Sequence, residues 1–336
     1  MTTMRSVAER ARVSVATVSH VINQTRPVSE GLRQRVLAAM VELDYQPNLV
    51  ARSLRRGQSD IIGMVVSDIA NPFFAEIARG VADTCYQQDY HLILCNSDND
   101  PDKVSLYIEV LIKQQVDGIL FVSVDLSGET FHGLLAQRIP LVNVLRDLPG
   151  GALDVIMTDN IRGGYLAARH LTELGHRRIG CISGPLETSP STERITGYRQ
   201  ALQKAGITAD EKLIQTGDFQ YAGGYQAACQ LLSLEDPPTA IFAFNDMMAI
   251  GALCAAQEKG YKVPVDLSVV GYDDISLASY TSPPLTTVFQ PKHEVGLLAA
   301  IMLLERIREH DLAPRRRLLD ISLMVRQSSA PPSRRS

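Results

Sequence analysis

The chain has 336 residues, of which 45% are hydrophobic and 21% charged, with a formal net charge of −4. That length exceeds a single simple core and implies two or three domains of ordinary globular composition. No apolar run is long enough to span a bilayer, and Met1 to Ser6 lead into a helix without an apolar signal core, so the expected location is the cytoplasm, with no membrane partner.

Charge is unevenly spread. Residues 1–58 hold nine arginines, no lysine, and only Glu9, Glu30, Glu42 and Asp44 as acids, a local net charge of +5. The remainder therefore carries −9 of the total −4, the asymmetry expected of a nucleic-acid-binding module on an acidic body. The first helix is expected to start at Ser6-Val7-Ala8-Glu9, a capping-box pattern. A short turn, Arg12-Val13-Ser14, separates it from a second helix through Asn23, with Ser14 as N-cap. At about 100° per residue, Val18, Val21 and Ile22 share a buried arc, while Val15, Ala16, Ser19 and His20 face outward. Two short helices with a tight turn suggest a helix-turn-helix whose second helix enters a DNA major groove, although such pairs also occur in helical proteins that bind no DNA.

A third helix is expected over residues 30–43, capped by Ser29, with Leu32, Val36, Met40 and Leu43 at helical spacing. It closes a three-helix headpiece over residues 1–46. Pro47 stops it, and Asn48 can cap a short basic helix running from Leu49 to Arg56, so that residues 47–59 form a hinge helix and linker. From Asp60 the texture becomes strand-helix alternation. Apolar strands are read at 61–66, 91–95, 118–123, 140–144, 155–158, 178–183, 240–244 and 268–272, and helices at 73–87, 102–115, 161–174, 193–205 and 246–259. Continuous apolar strands alternating with helices predict parallel sheets covered on both faces, here two of them, within one domain over residues 60–336. Ligands in such sheets bind beyond the carboxyl ends of strands. Asp68, Asn71, Arg146, Asn245, Asp246, Asp273 and Asp274 cluster at those ends, where helix capping is the competing explanation.

Cys85, Cys95, Cys181, Cys229 and Cys254 form no CxxC pair and read as buried thiols, so no metal site is expected. The seven histidines are scattered, with His170 and His176 expected on the surface. No G-x-G-x-x-G, P-loop, H-E-x-x-H or G-x-S-x-G pattern occurs, so neither catalytic residues nor a cofactor are expected. The alternatives on the same α/β fold are a sugar-active enzyme, which lacks a signature here, and a stand-alone transport receptor, which needs a signal peptide and has no use for the basic segment.

Val13-Ser14-Val15-Ala16-Thr17-Val18-Ser19-His20-Val21-Ile22-Asn23 resembles the headpiece of the lac repressor (LacI/GalR) family, and Pro47 with Ala51-Arg52-Ser53-Leu54 resembles its hinge helix. Asn71-Pro72-Phe73-Phe74, Asp117-Gly118-Ile119, Asn245-Asp246-Met247-Met248-Ala249, Gly271-Tyr272-Asp273-Asp274 and Pro284-Leu285-Thr286-Thr287-Val288 extend the likeness through the body, in order. His20, Gly217-Asp218-Phe219 and Gln290-Pro291-Lys292 place it nearest in look to the ribose-operon and purine repressors.

The resemblance implies a homodimeric regulator, with an all-α helix-turn-helix headpiece and a two-lobed α/β body like a periplasmic sugar-binding protein. Its partners would be near-palindromic double-stranded operator DNA and a small effector, a sugar such as ribose or a nucleoside or purine, held between the lobes. Carried over by motif, Val15, Ala16 and His20 would read bases, with Ser14, Thr17, Ser19 and Asn23 near the DNA. Arg52, Arg55 and Arg56 would neutralise phosphates, and Leu54 would be the hinge wedge. Effector contacts would be Asn71, Phe73, Phe74, Arg146, Arg194, Phe219, Asn245, Asp273 and Gln290. Sugar-binding members often carry an aspartate just before the Arg146 position, and Leu145 stands there instead. Val15 and Ala16 are apolar where near relatives have hydroxyls, so their operator sequence does not carry over. Either sense of switching, release or promotion of DNA binding, fits the residues.

Overall fold

The structure is a computed structural model that describes residues 3–23, 25–45, 58–124, 133–147 and 153–333. The chain divides into two compact units, Met1–Asp60 and Ile61–Ser336. The expected hinge residues Pro47, Asn48, Arg52, Leu54, Arg55 and Arg56 lie outside the described residues.

In the first unit, α1 (Met4–Ala11), α2 (Val15–Asn23) and α3 (Glu30–Glu42) enclose Val7, Ala8, Ala11, Val18, Val36 and Ala39. Helix α1 begins earlier than Ser6. Thr3 is its N-cap and Ser6 the returning member of the capping box, because a serine at the third helical position can answer a threonine cap as a glutamate would. Arg12, in the left-handed conformation, turns the chain between α1 and α2. Arg35 of α3 closes that corner, donating from Nε to the Ala11 carbonyl and from Nη2 to the carbonyls of Ala11 and Arg12. It thereby satisfies carbonyls that the end of α1 leaves without partners. Ser29 precedes α3 but makes no side-chain cap bond.

The second unit holds two six-stranded sheets. The first comprises β1 (Ile61–Val66), β2 (His91–Asn96), β3 (Gly118–Val122), β4 (Leu141–Val144), β5 (Asp154–Thr158) and β11 (Arg316–Leu319), in the order β11-β5-β4-β3-β1-β2 and parallel throughout. The second comprises β6 (Ile179–Ser183), β7 (Ile214–Thr216), β8 (Ala240–Ala243), β9 (Ser268–Asp273), β10 (Thr286–Phe289) and β12 (Ser322–Met324), in the order β12-β10-β9-β8-β6-β7, with only β12 antiparallel. The helices are α4 (Pro72–Gln87), α5 (Pro101–Lys113), α6 (Asn160–Glu173), α7 (Ser189–Lys204), α8 (Tyr221–Leu232), α9 (Asp246–Glu258) and α10 (Lys292–Arg308).

Each sheet with its helices is a lobe, and the chain passes between lobes three times. It leaves the first lobe after β5 into α6, which packs on β8, β9, β10 and β12. It returns after β10 into α10, which packs on β3, β4 and β5. It crosses again between β11 and β12. Among the described residues three helix pairs approach unusually closely, one of them α8–α9 through Gly224 and Gly251. A Cβ on Gly80 of α4 would meet the His293 carbonyl of α10 at 2.2 Å, and one on Gly296 would meet that of Ile77 at 2.0 Å. The α6–α7 pair repeats the arrangement with Gly164 and Gly197. An ionic cluster locks the return crossing to the first lobe. Asp154, fully buried, receives Arg306 and Arg315 at 2.8 Å each. Burial alone would raise its carboxyl, and the two arginines outweigh it and hold the pKa below the ordinary value. Removing one partner of such a buried pair costs about 3–5 kcal/mol.

The strands and helices read from apolar pattern all appear, within one or two residues except that α7 starts at Ser189 rather than 193. Unread were β7, β10, β11, β12, α8 and α10. The four strands have three or four residues each, and β11 is an edge strand with Arg316 and Arg317 exposed, so neither length nor apolarity marks them. His176 is a correction. It is buried, with Nδ1 paired to Thr239 Oγ1 at 2.8 Å and Nε2 to the Ala330 carbonyl at 2.9 Å, because residues 326–330 fold back over it. His170 is half-buried against Ser329. Cys85, Cys95 and Cys181 are buried as expected, whereas Cys229 is half-buried and Cys254 exposed on the outer face of α9.

Candidate functional site

All nine residues expected to contact an effector line one cavity of about 480 Å³. The first lobe contributes Asn71, Phe73 and Phe74 from the start of α4, and Arg146 from the turn after β4. From the second lobe come Arg194 of α7, Phe219, Asn245 before α9, and Asp273 at the end of β9. Gln290 sits on the return crossing.

The strand-end asparagines do two jobs. Asn71 accepts from the Phe73 amide at 3.0 Å and Asn245 from the Met248 amide at 2.8 Å, each capping its helix. Asn245 Nδ2 also donates to the Phe219 carbonyl at 2.8 Å, holding Phe219 at φ 64°. Phe73 and Phe74 pack edge to face at 5.1 Å. Phe73 is buried in the core and Phe74 half-buried, which leaves Phe74 the ring available to a ligand.

Arg194 is buried and not a surface ion-pair residue. Its guanidinium lies 3.7 Å from the Tyr272 ring centre, Nε donates to Asn160 Oδ1 at 3.0 Å, and Nη1 donates to the Phe244 carbonyl. Gln290 links the lobes. Thr158 of β5 donates to its Oε1 at 2.5 Å, and its Nε2 donates to Asp273 Oδ1 at 2.8 Å. Burial pushes the Asp273 carboxyl up to about 6, against the pull of Arg194, the Gln290 bond and Lys292. Behind it, Asp246 is fully buried. It accepts from Thr287 Oγ1 at 2.6 Å and from the Ile275 amide at 2.8 Å. Burial and the charge of Asp273 raise its pKa well above the usual range.

Several lining residues were not singled out from the sequence. Thr158 and Asn160 follow the strand-end rule and were within reach of it. Ser67, Thr188 and Gln220 also line the cavity, beside Asp68, which the strand-end pattern had singled out. Ser67 Oγ is buried without a hydrogen-bond partner among the described residues. Leu145 lines the wall at φ 67°, with its amide bonded to the Ile156 carbonyl at 2.7 Å.

On the first unit, Ser14, Val15 and Ala16 are exposed at the start of α2, Val15 at 44%. Ser14 caps the helix through the Thr17 amide at 3.0 Å and pairs with the Thr17 hydroxyl at 2.9 Å. Asn23 Nδ2 donates back to the Ser19 carbonyl and hydroxyl, at 2.9 and 3.1 Å. His20 Nδ1 is paired with Thr25 Oγ1 at 2.8 Å, which fixes the ring plane. Among the described residues no cluster of three or more His, Cys, Asp or Glu could hold a metal ion, and no helix is long and apolar enough to cross a membrane.

Residues 3–48 match the lacI family of bacterial regulatory proteins, and residues 168–329 match a periplasmic binding protein-like domain. The HTH-type transcriptional repressor PurR of Vibrio atlanticus (strain LGP32) is 46% identical over 313 residues, covering 93% of each chain. The ribose operon repressor of Escherichia coli (strain K12) is 42% identical over 332 residues, covering 98% of this chain and all of that protein. The solved lac repressor dimer bound to operator and the anti-inducer ONPF matches with a TM-score of 0.87 at 30% identity, over 98% of this chain and 99% of that one.

Proposed function

The chain belongs to the lacI family of bacterial regulatory proteins, and from that premise we propose how its parts work together as a ligand-switched transcriptional repressor. A homodimer presents two copies of α2 to the half-sites of a near-palindromic operator, since a two-fold protein reads a two-fold site. Val15, Ala16 and His20 meet base edges, Thr17 and Ser19 border the phosphates, and Ser14 and Asn23 also lie at the DNA. Arg52, Arg55 and Leu54 engage the DNA through the hinge, the leucine as a wedge. The protein acts in the cytoplasm, where its operator is, and catalyses no reaction.

The effector occupies the cavity between the lobes. It switches the protein only if it binds one lobe arrangement more tightly than the other. The observation that carries this reading is the convergence of nine side chains from both lobes and one crossing on a single cavity. Their chemistry suits a sugar. Asp273, Asn71, Asn160 and Ser67 are donors and acceptors for hydroxyls, Arg194 is a buried cation, and Phe74 and Phe219 offer flat apolar faces to a ring. We infer an aldopentose such as D-ribose. A second reading, a purine or nucleoside, is favoured by Leu145, which puts an apolar side chain where a carboxylate would grip two sugar hydroxyls.

Calorimetry on the full-length protein with pentoses, hexoses, nucleosides and purines separates the two. Saturable binding of D-ribose, lost in Asp273→Asn, supports the first reading. Binding only of planar bases supports the second.

A further inference from the structure

The carboxylate of Asp273 reaches the cleft on constrained backbone. Strand β9 ends at Asp273, φ 106°, and the residue after it, Asp274, is also left-handed at φ 53°. Such conformations are costly for residues with a Cβ and persist where neighbouring groups over-determine them. Those groups grip the turn from two sides. Its amides are held from within the second lobe. Asp274 N–H donates to Thr287 Oγ1 at 3.3 Å, and Ile275 N–H to Asp246 Oδ2 at 2.8 Å.

Its carbonyls are held by one cation from the other side. Lys292 Nζ donates to the Asp273 carbonyl at 3.0 Å and to the Asp274 carbonyl at 2.6 Å. The same ammonium lies 3.9 Å from Glu76 Oε2 on α4 and 5.4 Å from the Phe289 ring centre. Lys292 is only 5% exposed and is the first residue of α10. Both facts count against a lysine there. Burial of an ammonium is expensive, and a helix N-terminus disfavours positive charge. Two carbonyls and a carboxylate offset that cost. Lys292 thus joins the turn that carries Asp273 in the second lobe to the helix that carries Phe73 and Phe74 in the first.

We propose that Lys292 is a positioning residue of the effector site: by holding the carbonyls of Asp273 and Asp274 it aims the Asp273 carboxylate into the cleft and ties that aim to α4. The part about effector rests on the reading of the cleft given above. The hold on the turn does not.

Two measurements on the full-length protein test it, amide hydrogen exchange without ligand and calorimetry with D-ribose as probe. In Lys292→Met the amides of Asp274 and Ile275 are expected to exchange at least tenfold faster, while those of residues 269–272 stay within threefold of the parent. D-ribose affinity is expected to fall at least tenfold, with operator affinity in the absence of ribose within twofold. Lys292→Arg, which keeps a cation and donors, should recover both to within threefold. If Lys292→Met does not fold, Lys292→Gln replaces it, with at least a fivefold effect expected on each. Unchanged exchange at Ile275, or acceleration spread through the whole second sheet, overturns the proposal. So does a D-ribose affinity that stays at the parent value while the turn loosens. If the parent itself does not bind D-ribose, the pentose reading falls, and the exchange result alone decides whether Lys292 holds the turn.

Discussion

Gln220 Nε2 donates to Asp68 Oδ2 at 2.8 Å, a hydrogen bond between residues from the two lobes that both line the effector cavity. It leaves each residue's own backbone role intact, since Asp68 Oδ1 still receives the Ala70 amide. Both side chains are half-buried, so a charge-assisted bond here contributes about 1 kcal/mol. The bond stabilises the lobe arrangement seen here, in which the cavity lining is assembled. Gln220→Ala is therefore expected to weaken effector binding by roughly fivefold, the equivalent of about 1 kcal/mol, with thermal stability almost unchanged. Calorimetry beside a melting curve checks this, and equal affinities would show that the bond is incidental to effector binding.

Asp273 links function to pH. Burial raises its pKa from 3.8 to about 6. Between those values the folded protein keeps a proton that the unfolded chain has released. The stability contributed by this group is complete below about pH 4 and is lost as pH rises through 6, by at most about 3 kcal/mol for a shift of about two units. Asp246 shifts in the same direction. Asp273→Asn, which cannot ionise and tolerates a left-handed backbone, is expected to melt higher than the parent at pH 7, with the gap closing near pH 4. It should also fail to bind the effector. A parent-like melting temperature at every pH would mean that the carboxylate is solvated in the native state.

His20→Ala tests the DNA face. With its ring held by Thr25 and its position on the outer side of α2, His20 should discriminate at one operator position in each half-site, by roughly 1–3 kcal/mol. Affinities for operator and for scrambled DNA at one salt concentration give the answer. A loss that is equal on both would make the imidazole a phosphate contact.

Leu145 is the fourth test, and it divides sugar from base. A leucine at φ 67° is strained, and aspartate adopts that region more readily. Leu145→Asp should raise D-ribose affinity at least fivefold if the pentose reading holds, by supplying a carboxylate beside Arg146. Under the purine reading it would weaken ligand binding instead.

The parts of this fold that the sequence disclosed share a physical signature. Buried parallel strands such as 61–66 and 118–122 are apolar on both faces, and α2 carries its core residue Val18 at helical spacing from Val21 and Ile22. The parts it hid have no local signature. β11 is two exposed arginines and two leucines, held as a strand by its pairing with β5 and by Asp154, which anchors Arg315 immediately before it. His176 looked like a loop residue because its partners are 63, 92 and 154 residues away in the chain. In the cleft, Asn71, Arg146, Asn245 and Asp273 were legible at strand ends and the other expected residues came from family motifs, whereas Lys292 appeared in one of those motifs without a role. Its role depends on the backbone angles of Asp273 and Asp274, which no pattern of residue types displays.

Titrating the full-length protein with operator DNA across a range of D-ribose concentrations, for the parent and for Asp273→Asn, shows whether a ligand in the inter-lobe cavity sets operator affinity. The expected result is that saturating ribose changes the parent's operator affinity at least tenfold, in one direction, while Asp273→Asn binds operator with a single affinity that ribose does not move. An operator affinity in the parent that no pentose, nucleoside or purine shifts, or an equal response in Asp273→Asn, would contradict it.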